Sequence, residues 1–311
     1  MPRDRSFVLF AGSSHPELAG QVADWLGVKL GNIAIDTFPD GEIGIQILEN
    51  VRGRDVFVLQ SIAQRPNHYL MELLIIIDAL KRASARSIGV VLPYYGYARQ
   101  DRRDKGRVPI TAKLVANVLE RAGATRGLTM DLHAAQVEGF FDIPIDNLLA
   151  RPVLVEAVEK AGLEDYVVVA PDLGSIKLAR AFAGAVKTDL AIVDKRRVSA
   201  ERVEAEALIG KVENRNILLV DDMVSTGVTL NIASRVCKKA GAKRIFAVAT
   251  HGLFVGHGFE ESAIEKMLVT NTVPSSKKDK KSRIEVVSVA PLFGKAIEFI
   301  AEAKSISSLY N

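Results

Sequence analysis

The sequence predicts an α/β protein built from two similar, doubly wound parallel-sheet halves, and three observations predict it. Short β-branched runs alternate with longer segments of helical period along almost the whole chain, as parallel strands joined by crossover helices require. The length of 311 residues exceeds the ~150 usual for one domain. The third observation is an internal echo. Ala122-Gly123-Ala124-Thr125-Arg126 and Ala240-Gly241-Ala242-Lys243-Arg244 each lead through an apolar run to a histidine, His133 and His251, and Thr111 and Thr229 open the preceding helices at the same separation. The repeated unit is a helix ended by glycine, a short connection and a buried strand. It places a boundary near residue 147 and predicts domains at 1–147 and 148–311, with the last helix packing back on the first.

In chain order, residues 7–10 read as a buried strand and 15–26 as the helix after it. Residues 32–49 alternate instead, with Pro39, Asp40 and Gly41 as turn residues, and predict a hairpin. Strand 56–60, helix 69–84, strand 87–92, helix 111–122 and strand 127–131 complete the first half. The second half reads helix 151–161, strand 167–170, helix 176–183, strands 189–193 and 217–221, helix 229–240, strand 245–250 and a closing helix at 291–303.

Composition excludes several classes. Hydrophobic residues at 48% and charged residues at 25% are ordinary for a globular chain, which rules out collagen-like, disordered and disulfide-scaffold proteins. The net charge of +4 is too mild to predict nucleic-acid binding. Cys237 is the single cysteine, so intrachain disulfides and cysteine-rich zinc sites are impossible, and a reducing, cytoplasmic setting is compatible. The N-terminal apolar run is too short for a signal peptide and is followed by Ser13, Ser14 and His15. The greasy stretch 70–80 holds Glu72 and Asp78 and falls short of the ~20 residues a membrane span needs. A soluble protein with no membrane partner is expected.

Ligands of doubly wound sheets gather at the carboxyl ends of strands, so the residues following each strand are the candidates. Residues 217–229 run from a hydrophobic strand through Asp221 and Asp222 to Ser225, Thr226, Gly227, Val228 and Thr229 at a helix start. Backbone amides and hydroxyls there suit a phosphate, and the two acids suit sugar hydroxyls; a capped helix after a buried strand explains the pattern equally well. No Gly-x4-Gly-Lys-Ser/Thr or Gly-x-Gly-x-x-Gly motif is present, which disfavours a P-loop kinase or a standard dinucleotide fold. Asp131 and His133, two apart on an extended strand end, share one side and suit a cation or a phosphate, although a lone histidine is commonly structural. Asp172 also follows an apolar run, where a simple turn would serve as well. Residues 94–107 combine tyrosines with Arg and Lys, a pairing suited to a nucleoside triphosphate, to a solvated face or to a nucleic-acid contact. Asp194, Lys195, Arg196 and Arg197 follow the strand at 189–193, and a loop there can close over a reacting phosphate and supply cations; without a partner site, a solvated loop explains it better.

Together these segments resemble the ribose-phosphate pyrophosphokinase family nearly end to end. The blocks carrying the resemblance are FPDGEI, VRGRDVFVLQS, MELL, YARQDRRDKGRVPITAKLVAN, MDLHAAQVEGFFDIPIDNL, APDLG, DKRR, LVDDM, THGLF, VTNTVP and SISSLY, in that order. The resemblance implies two domains of type I phosphoribosyltransferase-like fold and a cytoplasmic enzyme of nucleotide biosynthesis. The implied assembly is a homo-oligomer, commonly a hexamer. The implied reaction transfers the β,γ-diphosphoryl group of ATP, with Mg2+, to the 1-hydroxyl of ribose 5-phosphate, giving phosphoribosyl pyrophosphate and AMP. Carried over by motif, Phe38, Asp40, Gly41 and Glu42 hold the adenine side of ATP from a neighbouring subunit, and Arg99 with Gln100 completes that site. His133 and Asp172 take the metal positions. Lys195 is the catalytic cation on a mobile loop at 195–206, assisted by Arg99 and by Arg197 at ribose 5-phosphate or the transferring group. Asp221 and Asp222 meet the ribose, while Ser225, Thr226, Gly227, Val228 and Thr229 wrap its phosphate.

The chain departs from the family pattern Asp-Asp-x-x-Asp-Thr-x-Gly-Thr at Ser225 and Val228. A β-branched residue tolerates positive φ poorly, so Val228 is expected to be strained if the family's glycine is left-handed there. Two other functions fit parts of the sequence. A non-catalytic, synthetase-like regulatory subunit would lose Lys195, Arg197, His133 or Asp172, all of which are present. A phosphoribosyltransferase would need neither the doubled fold nor Arg99-Gln100.

Overall fold

The chain divides into two units, Met1–Leu149 with Thr272–Pro274 and Ser288–Asn311, and Ala150–Asn271 with Ser275–Val287. The computed structural model describes residues 7–197, 203–275 and 283–310, and only the backbone of 195–197 and 203–206. The first unit contains β1 (Phe7–Ala11), α1 (Pro16–Leu26), β2 (Ile33–Thr37), β3 (Ile43–Ile47), β4 (Asp55–Leu59), α2 (Pro66–Arg82), β5 (Ser87–Leu92), α3 (Thr111–Ala122), β6 (Arg126–Met130) and β7 (Ile145–Leu148). The second contains α4 (Arg151–Lys160), β8 (Tyr166–Ala170), α5 (Ile176–Val186), β9 (Leu190–Arg197), β10 (Val203–Ile209), β11 (Asn216–Val224), α6 (Val228–Lys239), β12 (Ile245–Gly252), β13 (Lys266–Thr270) and β14 (Ile284–Val287). The last helix, α7 (Ala290–Ala301), belongs to the first unit.

Among the described residues, five parallel strands form the sheet of the first unit in the order β1-β4-β5-β6-β7, while β2 and β3 pair apart from it as the expected antiparallel hairpin. Alternate residues of a strand face opposite sides. Val8, Phe10, Val56, Val58, Ile88 and Val90 therefore enter one core with Leu73, Ile76 and Ile77 of α2 and Val115 and Leu119 of α3. Phe7, Leu9, Phe57 and Leu59, also buried, serve the other face. There α1 packs along α7 so closely that a Cβ on Gly294 would lie 2.4 Å from the Trp25 ring.

The second unit has the order β10-β9-β8-β11-β12-β13-β14, parallel except for β10. Val169, Leu219, Ala247 and Val269 line its core with Leu230, Ala233 and Cys237 of α6. Burial pushes the Cys237 thiol up to about 12, so it packs as a small hydrophobe and is not a nucleophile at neutral pH.

The internal echo has a structural counterpart. Ala124 N donates to Leu119 O at 3.1 Å, and Ala242 N donates to Cys237 O at 3.0 Å, the six-to-one bond of a glycine-terminated helix. Gly123 and Gly241 supply the positive φ at 134° and 88°.

Among the described residues, four strands lie outside the sequence expectation. β7, β10 and β14 are sheet edges whose polar residues, such as Asp146, Glu206 and Glu285, blur the apolar run. β13 is internal but only five residues long, a length at which periodicity does not separate strand from helix. No helix among the described residues is long and apolar enough to cross a membrane.

Candidate active site at the carboxyl ends of the strands

In the second unit the chain leaves β8 toward β9 on one side, while β11 lies on its other side and leads away to β12. The strand order reverses between β8 and β11, and ligands of open α/β sheets bind at such a reversal, outside the carboxyl ends of the strands. Asp172 stands two residues past β8, and Asp221 and Asp222 lie in the carboxyl-terminal half of β11, beyond its register with β8 at Leu219 and Val169. Asp172 accepts a hydrogen bond from Ser175 N at 3.1 Å, which fixes the turn into α5. Asp221 accepts one from Asp222 N at 2.9 Å. Burial, then the charges of Asp222 and Asp172, raise the Asp221 carboxyl well above the usual carboxylate range. These acids crowd a small volume with negative charge, a donor set that hydroxyl groups or a hard cation would relieve.

The chain then passes through Ser225 and Thr226 to Gly227, which caps α6 at φ 80° and has no side chain to satisfy the first amides of the helix. Such an amide-rich helix start suits an anion. The left-handed residue is Gly227; Val228 is the first helical residue and is absent from the non-glycine residues with positive φ. The strain expected at Val228 is therefore corrected: the glycine requirement sits one position earlier, and this chain meets it. Val228→Gly should bring no gain in ribose 5-phosphate affinity and should cost up to about 1 kcal/mol of stability through helix entropy. A denaturant melt with a parallel binding titration checks this, and a stabilised, tighter-binding variant would restore the strain.

A segment that sequence reasoning missed lies over this turn. Val255 N donates to Ser225 O at 2.9 Å and Gly258 N to Thr226 O at 3.0 Å. A Cβ on Gly258 would meet Val228 N at 2.7 Å, and one on Gly256 would meet Thr226 Cα at 3.1 Å. The available signal was the pair of glycines around His257, just after a predicted strand.

Lys195 and Arg197 require a correction too. They lie in β9 rather than in a loop after it, because β9 continues through Arg197 and pairs antiparallel with β10, Lys195 opposite Glu206 and Arg197 opposite Val203. A polar stretch such as Asp194-Lys195-Arg196-Arg197 reads as loop from composition alone, and the partner strand makes it extended. Residues 198–202 of the expected mobile loop lie outside the described residues. The register of Ala170 with Ile192 puts Lys195 beyond the end of β8, at the same sheet edge as Asp172 and Asp221.

In the first unit, Asp131 has φ 38° and follows β6 rather than extending it, so the expected same-side pairing of Asp131 and His133 on a strand end does not form. His133 stands in the turn after it. Gln136 donates to Asp101, which joins this turn to the loop carrying Arg99 and Gln100. Gln100 is itself set by a bond from its N to Tyr97 O at 2.9 Å. Phe38, Asp40, Gly41 and Glu42 form the tip of the β2-β3 hairpin, closed by Phe38 N to Glu42 O at 2.8 Å and by Gly41 at φ 95°. Phe38 is 53% exposed, so the tip offers a flat aromatic face to solvent.

Residues 7–123 match the N-terminal domain of ribose phosphate pyrophosphokinase, and residues 197–311 match the phosphoribosyl synthetase-associated domain. The chain is 48% identical over 309 residues to the ribose-phosphate pyrophosphokinase of Wolinella succinogenes, covering 98% of this chain and 99% of that one. Identity to the protein of that name from Bacillus subtilis is 44% over 311 residues, covering 99% and 98%. The crystal structure of phosphoribosylpyrophosphate synthetase from Mycobacterium smegmatis superposes with a TM-score of 0.91 at 40% identity, covering 96% of this chain and all of that one.

Proposed function

The chain belongs to the ribose-phosphate pyrophosphokinase family, and on that premise we propose how its own residues carry the reaction, transfer of the β,γ-diphosphoryl group of ATP to the 1-hydroxyl of ribose 5-phosphate. The observation that carries the reading is the meeting of an acidic cluster and an amide-rich helix start at the strand reversal of the second unit. The turn Ser225, Thr226, Gly227, Val228 and Thr229 holds the 5-phosphate through backbone amides and hydroxyls. Asp221, with Asp222, accepts hydrogen bonds from the ribose hydroxyls and so orients the 1-hydroxyl. Hairpin-tip residues Phe38, Asp40, Gly41 and Glu42 reach the adenine side of ATP in a neighbouring subunit of a homo-oligomer, a hexamer in this reading, with Arg99 and Gln100 completing the site.

Diphosphoryl transfer asks chiefly for in-line positioning and for neutralisation of charge building on the phosphoryl oxygens. Lys195, Arg197 and Arg99 supply that charge, and none of them has to act as a strong base. Magnesium, when bound, neutralises and orients the triphosphate. His133 and Asp172 would hold it. The carboxylates of Asp172, Asp221 and Asp222, whose charges act on one another at the strand reversal, are oxygen donors of the kind a hard cation takes.

Two measurements test the reading. Incubation with MgATP and ribose 5-phosphate should yield AMP and phosphoribosyl pyrophosphate in equal amounts, and formation of ADP in place of AMP would refute diphosphoryl transfer. Asp221→Asn should weaken ribose 5-phosphate binding by roughly 10- to 100-fold, the worth of a hydrogen bond to a charged acceptor. The same variant should melt higher. The folded chain holds the Asp221 proton more tightly than the unfolded chain does, so ionising it costs stability as the pH rises past the usual carboxylate value, and asparagine removes that cost. Unchanged affinity in calorimetry would remove Asp221 from the sugar site.

A further inference from the structure

We propose that Arg283 is a positioning residue for ribose 5-phosphate: it clamps the segment 254–264, and that segment holds the turn 225–229 in its binding shape. The proposal rests on the reading of 225–229 as the phosphate site. Arg283 sits just before β14 and is remote in sequence from both segments. Its guanidinium donates to four backbone carbonyls of one stretch, Ser262 O at 3.0 Å, Phe259 O at 3.2 Å, Glu260 O at 3.0 Å, and Ile264 O. It also lies over the Phe259 ring, 5.2 Å from its centroid. A planar fork of five donors can satisfy four carbonyls at once, and an ammonium on a flexible stem cannot.

The clamped stretch reaches the phosphate turn directly. Phe259 is buried against Phe254, with ring centroids 5.6 Å apart, and its backbone N lies 2.3 Å from where a Cβ on Gly227 would stand. Gly258 N binds Thr226 O, and Ala263 N binds Ser234 Oγ of α6 at 3.0 Å. One side chain thus fixes a strap that touches both the turn and the helix whose first amides would bind phosphate. Without the clamp the strap gains conformations, and only part of the population presents the turn correctly, which lowers apparent affinity without altering the reacting groups.

The test uses the full-length enzyme with Arg283→Lys and Arg283→Ala, titrated with ribose 5-phosphate by calorimetry and assayed for KM and kcat toward both substrates. The expected result is a rise of about 3- to 10-fold in both the Kd and the KM for ribose 5-phosphate, with kcat and the KM for ATP within about twofold, and no rescue by lysine. Ser234→Ala removes the hydroxyl that ties Ala263 N of the strap to α6, without entering the turn, and should give the same selective loss, which keeps the test decisive if the Arg283 variants fold poorly. A parallel loss for ATP, or full rescue by lysine, would overturn the proposal. Gly227→Ala separates the two readings: if it weakens ribose 5-phosphate binding while the Arg283 and Ser234 variants do not, the clamp fails and the phosphate site stands. If Gly227→Ala leaves binding intact, the phosphate site fails and the clamp with it.

Discussion

Lys195→Ala is expected to lower kcat on the order of 10²- to 10³-fold while the KM for ribose 5-phosphate and for ATP moves by less than about threefold. The size follows from the reaction. A diphosphoryl group in transfer carries more charge on its bridging and terminal oxygens than the bound ground state does, so a cation placed there acts mainly in the transition state. The backbone of Lys195 lies at the carboxyl edge of β9, the edge shared with Asp172 and Asp221, where such a cation is useful. Steady-state assay of AMP release at saturating substrates measures the effect. A variant turning over at the parent rate would take Lys195 out of catalysis, and a loss confined to KM would make it a ground-state contact.

The second large effect is expected at Gly227. Gly227→Ala meets two penalties together: φ of 80°, which costs a Cβ-bearing residue about 1–2 kcal/mol, and a Cβ that would stand 2.3 Å from Phe259 N. The second penalty dominates, because the obstacle is backbone held by the strap rather than the end of a flexible side chain. Either the strap or the turn must move. Ribose 5-phosphate affinity should fall by more than about tenfold, with a loss of roughly 2–4 kcal/mol in unfolding free energy. Calorimetry and a denaturant melt read both. Retained affinity with retained stability would mean that the turn is far more pliant than its contacts imply.

Much of this was legible in the sequence because it rests on local rules. Buried parallel strands are apolar, helices are periodic, and helix ends favour glycine, so the sheet-forming runs and the Ala-Gly-Ala echo are written in composition and spacing. Asp172 after β8, Asp221 and Asp222 near the end of β11 and the hydroxyl-rich turn could be found the same way, since the ligand-binding ends of strands follow hydrophobic runs. Three things required tertiary structure. Lys195 and Arg197 are extended only because β10, distant in composition from a typical strand, pairs with β9. The glycine demand of the phosphate turn falls on Gly227 rather than at position 228, because where the helix begins fixes which residue must be left-handed, and spacing alone does not mark that residue. The strap and its Arg283 clamp join residues separated along the chain through backbone carbonyls, and every residue type carries a carbonyl, so the sequence holds no mark of where that clamp closes.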